Sequence, residues 1–170
     1  MFALREVVDR DHPFLVELHN DPLVLQNVTH PEPITIEQHI KWWESIKTKS
    51  TEKRLLFTID GHSAGFAKFY DIDIVNSNCV LGADIHKDFR GRGYGKELWR
   101  LMLSYAFNRL NLHRVGLTTA EYNDVGRRLY KNMGFVEEGK LLQSLKRNGY
   151  YYDQISMCML RKWWEARNDS

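Results

Sequence analysis

Cysteine is scarce in this chain of 170 residues, with only Cys79 and Cys158 present. Two thiols so far apart build neither a disulfide framework nor a zinc site. Each falls in an apolar, strand-like run, so both are expected to be buried free thiols. Long apolar runs are lacking as well. None approaches the ~20 residues that cross a bilayer, and the opening MFALREVVDRDH lacks the basic-then-apolar order of a leader. Charge of one sign is also missing: 24 Lys and Arg against 22 Asp and Glu leave a net +2. That balance gives no general attraction to nucleic acid or to an anionic membrane. These absences point to a soluble, cytoplasmic protein with neither membrane nor nucleic acid as partner. A chain of this length is expected to fold as one domain over residues 1–170, burying roughly two thirds of its unfolded surface.

Proline is limited to four positions. Phe2 to Val8 alternates weakly as a first strand, Pro13 opens the helical pattern PFLVELHNDPLV, and Pro22 interrupts it. Pro31 and Pro33 mark a loop. Thr35 and Gln38 then have capping-box spacing, and Ile36, Ile40, Trp43 and Ile46 recur at helical intervals, predicting an amphipathic helix over 35–49. LLFTID and AGFAKFYDID flank the turn Asp60-Gly61-His62-Ser63 as a hairpin. A second turn at Asn76-Ser77-Asn78 leads to a strand from Cys79 to about His86. Helical spacing returns from Lys96, RVGLTT reads as a buried strand, and a further helix runs from Asn123 or Asp124 to Gly134. Two last strands flank Asn148-Gly149, a strong hairpin-turn signal. The order β-α-α-β-β-β-α-β-α-β-β describes a mixed sheet with helices on both faces.

The stretch from Asp88 to Lys96, DFRGRGYGK, lies between a strand and a helix start. Such a place suits anions, because the first amides of a helix lack internal partners and carry positive partial charge, and glycine lets a ligand approach the backbone. Arg90, Arg92 and Lys96 add charge. A Walker loop would need longer glycine spacing ending in Lys-Ser or Lys-Thr. A dinucleotide fingerprint would need G-x-G-x-x-G after the first strand of a parallel unit. Neither is present, which leaves an anion-binding loop or a basic surface loop.

Arg90-x-x-Gly93-x-Gly95 resembles the Q/R-x-x-G-x-G/A signature of the GNAT acetyltransferase superfamily. Glu121-Tyr122-Asn123, followed by Leu129 to Phe135, is similar to that family's second motif. The resemblance implies a GNAT fold of class α/β (α+β), a mixed, mostly antiparallel seven-stranded sheet flanked by about four helices. It implies transfer of an acetyl group from acetyl-CoA to a primary amine by direct attack in a ternary complex, with no metal. The pyrophosphate of acetyl-CoA is then expected on the amides of Arg92, Gly93, Tyr94, Gly95 and Lys96, flanked by Arg90. The pantetheine arm is expected to pair with backbone at Ile85 and His86, with Asn123 as a side-chain partner that can also cap its helix.

The resemblance further implies Tyr130 as the general acid. Asp84, His86 or a water chain remains for the general base, with Asp84 the candidate. Where many relatives carry Glu early in this strand, Cys79 and Val80 stand here. For the acceptor, Glu37 to Trp43 is similar to a segment of acetyltransferases of surface amino-sugar biosynthesis. A nucleotide-linked amino sugar is therefore expected, with Trp42, Trp43 and Tyr151 as contacts. GFVEEGKLLQSLKRNGYYYD resembles ribosomal-protein N-terminal acetyltransferases, the second reading. A polyamine is the third and would want an acidic site, for which Asp71, Asp73, Glu137 and Glu138 are available. A non-catalytic acetyl-CoA sensor is the reading from outside enzymology. Trp163 and Trp164 are expected either to pack on the domain or to join a homodimer.

Overall fold

The computed structural model describes residues 1–168, in the order β1 Phe2–Glu6, α1 His12–His19, α2 Pro22–Leu25, α3 Ile36–Ile46, β2 Lys53–Ile59, β3 His62–Asp73, β4 Asn78–Ile85, α4 Tyr94–Ser104, β5 Arg114–Ala120, α5 Asp124–Met133, β6 Val136–Arg147, β7 Tyr150–Leu160 and α6 Arg161–Asn168. The seven strands form one sheet in the order β1-β2-β3-β4-β5-β7-β6. Every neighbouring pair is antiparallel except β4 and β5.

Local chemistry sets most of these elements. Asp60 and Gly61 both take positive φ, 50° and 83°, as do Asn148 and Gly149 at 50° and 83°. Such mirror-image turns match the twist of the strands they join, which fixes the β2–β3 and β6–β7 hairpins. Thr35 accepts from the Gln38 amide and the Gln38 side chain accepts from Thr35 N–H, so the predicted capping box starts α3. The helix ends at Ile46, short of the predicted 49.

The described residues hold six helices where about four were expected. Asp21 accepts from the amides of Leu23 and Val24, so Pro22 begins a new helix at its first position instead of merely breaking α1. Helix α6 follows β7 without a turn residue, which is why no sequence signal separated them. Trp163 and Trp164 on α6 pack against the core of this same chain, the Trp164 ring lying tilted 5.4 Å from that of Phe107.

The sheet buries both faces. Leu55, Phe57, Phe69, Leu81, Val115 and Met157 meet Leu98, Trp99 and Met102 of α4, with Tyr130 of α5 packed alongside. Leu56 and Phe66 point the other way, to Leu15, Leu18, Val24 and Trp43 of α1–α3. Cys79 and Cys158 are buried free thiols, and burial pushes Cys79 up to about 12, so neither is a nucleophile at neutral pH. Among the described residues, no helix is long and apolar enough to cross a membrane.

Candidate active site

Strands β4 and β5 pair only at their starts, Asn78–Val80 against Arg114–Gly116. Beyond Val80 they diverge, leaving an unpaired edge. His86 N–H donates to Ala64 O at 2.9 Å, so His86 faces β3. Alternation along the strand then turns the backbone of Ala83 and Ile85 into the gap. The His86 carbonyl accepts from Phe89 N–H, so both of its backbone groups are taken. The backbone that turns into the gap is thus that of Ala83 and Ile85, with the Ile85 carbonyl accepting from Arg90 Nε, whereas the backbone of His86, named beside Ile85 as a contact, bonds within the chain. The imidazole of His86 is buried beside Phe14, with Nε2 3.3 Å from Glu17.

At the mouth of the gap the glycine loop turns into α4. Gly93, at φ 78°, caps the helix in the left-handed region, where a side chain would be strained. A Cβ there would meet no protein atom within 4 Å. Backbone geometry alone demands glycine, and the space above the loop is open. Gly95 instead abuts α5, since a Cβ would lie 3.3 Å from Leu129. Tyr94 and Gly95 begin the helix, where amides have no partner within it, and Lys96 N–H bonds back to Gly93 O at 3.1 Å. Arg92 and Lys96 are exposed beside it. Arg90 departs from expectation. Its Nε donates to Ile85 O at 2.9 Å and its guanidinium pairs with Asp21 at 3.0 Å, so its side chain is engaged within the chain, while the side chains of Arg92 and Lys96 are not so engaged among the described residues. The open cradle, helix amides and unpaired edge fit a long ligand with a diphosphate and an amide-bearing arm, which acetyl-CoA is.

Tyr130 rests against Trp99 and Phe135, with ring centroids 4.8 and 6.1 Å away. Burial first, then the negative charge of Asp84 and the neighbouring Tyr70, push its phenol well above its ordinary value of 10.0, so it stays protonated. Asp84 accepts from Lys68 Nζ at 2.6 Å, a partly buried pair with a lysine of β3. Asn123 caps α5 by accepting from Gly126 N–H at 3.1 Å and donates to Thr119 Oγ1 at 3.0 Å.

The expected sugar contacts do not converge. Trp43 packs into the smaller core, Trp42 lies against His39 and Trp43 at the surface, and Tyr151 lies under its own hairpin's Lys146 at 5.2 Å. Three of the four acids suggested for a cationic acceptor are engaged elsewhere, and Asp71 is exposed. Glu137 pairs with Lys131 and Arg127, Glu138 pairs with Arg114, and Asp73 caps a turn through Asn76. Contacts that sequence reasoning missed hold the end of β6 and the turn after β5 to the segment after α2. Tyr122 donates to Gln26 O, and Arg147 donates to Gln26 O at 3.1 Å and to Val28 O, clasping the hairpin onto the segment after α2. Both residues lie in motifs already singled out, but no local pattern names their partners.

A second missed feature is the buried stripe of α3, where His39 takes the place given to the exposed Ile40. His39 Nε2 lies 3.1 Å from His12 Nδ1 of α1. Among the described residues no group of three or more His, Cys, Asp or Glu is arranged to hold a metal ion.

Comparison with known proteins agrees with this geometry. The spermidine N-acetyltransferase of Vibrio cholerae, solved with CoA and spermine, superposes with a TM-score of 0.91 at 25% identity, covering 96% of this chain and 98% of that one. The spermidine N(1)-acetyltransferase of Escherichia coli is 26% identical over 159 residues, 93% of this chain and 85% of that protein. YdaF of Bacillus subtilis, a candidate ribosomal N-acetyltransferase by name, is 34% identical over 107 residues, and the match spans 63% of this chain and 58% of that relative. A family model for the acetyltransferase (GNAT) domain matches residues 2–136. With the split sheet and glycine loop in place, the chain belongs to the GNAT family of acetyl-CoA-dependent N-acetyltransferases.

Proposed function

We propose that this enzyme acetylates a primary amine on a flexible alkyl chain, of the polyamine class, and that the β4–β5 gap is where transfer occurs. The observation that carries the reading is the unpaired β4 edge leading into the glycine loop, and the influence of the Asp84 charge on the Tyr130 phenol supports it. Acetyl-CoA supplies the activated thioester when bound. The N–H of Ile85 or Ala83 is the donor for the developing oxyanion, since both turn into the gap. Tyr130 O–H donates to the departing sulfur, a role for which a phenol kept protonated is suited. Asp84 stands on the acceptor side with one oxygen bound to Lys68 and the other available to receive the amine's proton.

Three carboxylates stand at the same end of the sheet, because β4 and β5 run parallel: Asp84 ends one strand, Glu121 follows the other, and Asp153 accompanies Glu121 through a backbone contact. Asp84 is paired with Lys68 and Asp153 with Lys140, so the support for a cationic acceptor comes from the spermidine acetyltransferase relatives. An amino sugar finds less support, for the aromatic groups expected to stack on it are dispersed. The match to YdaF favours a peptide N-terminus as the second reading.

The test follows free thiol released from acetyl-CoA with spermidine, short peptides and a nucleotide-linked 4-amino sugar, each with the wild type and Tyr130→Phe. Turnover of spermidine that Tyr130→Phe slows supports the proposal. Turnover confined to peptides or to the sugar overturns the acceptor, and acetyl-CoA binding without turnover of any amine overturns the catalytic reading.

A further inference from the structure

We infer that Arg90 is a positioning residue which, with Asp21, ties the acceptor-side helices to the strand edge that receives acetyl-CoA. The inference rests on the proposal that the β4–β5 gap holds the acetyl-CoA arm.

Arg90 lies in a loop whose other cations, Arg92 and Lys96, point to solvent. Its own side chain folds back and is largely covered. One end, Nε, holds the carbonyl of Ile85, the residue whose backbone turns into the gap. The other end meets Asp21 at 3.0 Å. Asp21 is no idle partner, because its Oδ1 also accepts from Leu23 N–H at 2.9 Å and so begins α2. Helix α2 buries Val24 and leads directly to Gln26, whose carbonyl receives both Tyr122 and Arg147. A continuous polar path therefore runs from the cofactor edge through Arg90 and Asp21 to α2, and from there to the clasp over the acceptor side.

A second tie runs beside it. Glu17 of α1 pairs with Lys87 at 2.8 Å and lies 3.3 Å from His86, but it is half exposed and so is screened by salt. The Arg90–Asp21 pair is the better covered of the two, and the planar guanidinium reaches two acceptors at once in a way that lysine does not. An arm that pairs with the Ile85 edge fixes the carbonyl that Arg90 grips, and the helix start on the far side of the guanidinium is fixed with it. Acetyl-CoA binding thereby orders the acceptor side before the amine arrives.

Amide hydrogen exchange over residues 22–28, with and without acetyl-CoA, tests this without knowledge of the acceptor. In the wild type, acetyl-CoA is expected to slow exchange in this segment by about fivefold or more, the low end of typical coupling between sites. In Arg90→Gln and in Asp21→Asn that slowing is expected to vanish, and in Asp21→Asn, which touches neither the loop amides nor the Ile85 edge, the acetyl-CoA Kd is expected to stay within about threefold. The double variant is expected to match either single one. Arg90→Lys, keeping charge without the fork, is expected to restore only part of the response.

Slowing that persists in either variant, or that is absent in the wild type, overturns the inference. A tenfold or greater loss of acetyl-CoA affinity in Arg90→Gln would instead make Arg90 an anion-side cation and overturn it too. Failure of the underlying site reading shows separately: Gly93→Val would then bind acetyl-CoA as tightly as the wild type.

Discussion

Buried between α1 and α3, His39 is only 3% exposed, and its Nε2 stands 3.1 Å from His12 Nδ1. When both rings are neutral, one N–H serves the other ring's lone pair. When both are protonated, two N–H groups face each other in an apolar layer that includes Trp43. Desolvation, and then the positive charge of His12 and His19, lower His39 from 6.5 to about 4. The carboxylate near this pair, Asp9, is exposed and 4.0 Å from the far nitrogen of His12, too remote to offset that penalty. Because the folded value is depressed, the unfolded chain binds the proton first as pH falls. His39's contribution is therefore fully present above pH 6.5 and is lost progressively as pH drops toward 4. That gap, at about 1.4 kcal/mol for each pH unit, amounts to a loss of about 3 kcal/mol. Urea unfolding of the wild type and His39→Gln at intervals from pH 7.5 to 4 measures it. The wild type is expected to lose about 3 kcal/mol more than the variant over that range, all other titrating groups being common to both. Parallel curves would refute the reasoning.

The remaining predictions concern the gap and its mouth. Tyr130→Phe is expected to lower kcat by about 100-fold or more, with the acetyl-CoA Kd changed little, because it removes a donor used only as the thiolate departs; stopped-time thiol assays and calorimetry read the two quantities. Gly93→Ala places a side chain in the left-handed region at a cost of about 1–2 kcal/mol, so acetyl-CoA affinity is expected to fall about tenfold by calorimetry. Asp84→Asn is expected to depress kcat by about 100-fold with a much smaller change in amine KM. A kcat within threefold of the wild type would leave Asp84 as a partner of Lys68 and remove it from the proton path.

The elements readable in advance are those whose cause lies within a few residues. The two positive-φ turn pairs, the capping box at Thr35 and the left-handed cap at Gly134 each depend on backbone preferences of neighbouring positions, and each appears where the local pattern predicts it. The glycine loop belongs to this group, since its anion-binding capacity resides in consecutive amides. The same holds for the alternation that sends Leu55 and Leu56 to opposite faces.

Other features depended on where distant segments came to rest. Arg90 carries the same charge whether it faces a phosphate or Asp21, and only the docking of α2 behind the loop turns it inward. Glu137 and Glu138 read as free acids until β6 pairs beside β7 and brings Lys131, Arg127 and Arg114 within reach. His39 is absent from the apolar spacing read along α3 because the ring it meets sits on another helix. By itself, the sequence determined the seven strands and four of the six described helices, because these follow from local backbone chemistry and hydrophobic period, and its two motifs carried the resemblance to the family. The tertiary structure alone decided which charges are spent on one another and which segments Tyr122 and Arg147 tie together, because hydrogen bonds and ion pairs are chosen by proximity in space.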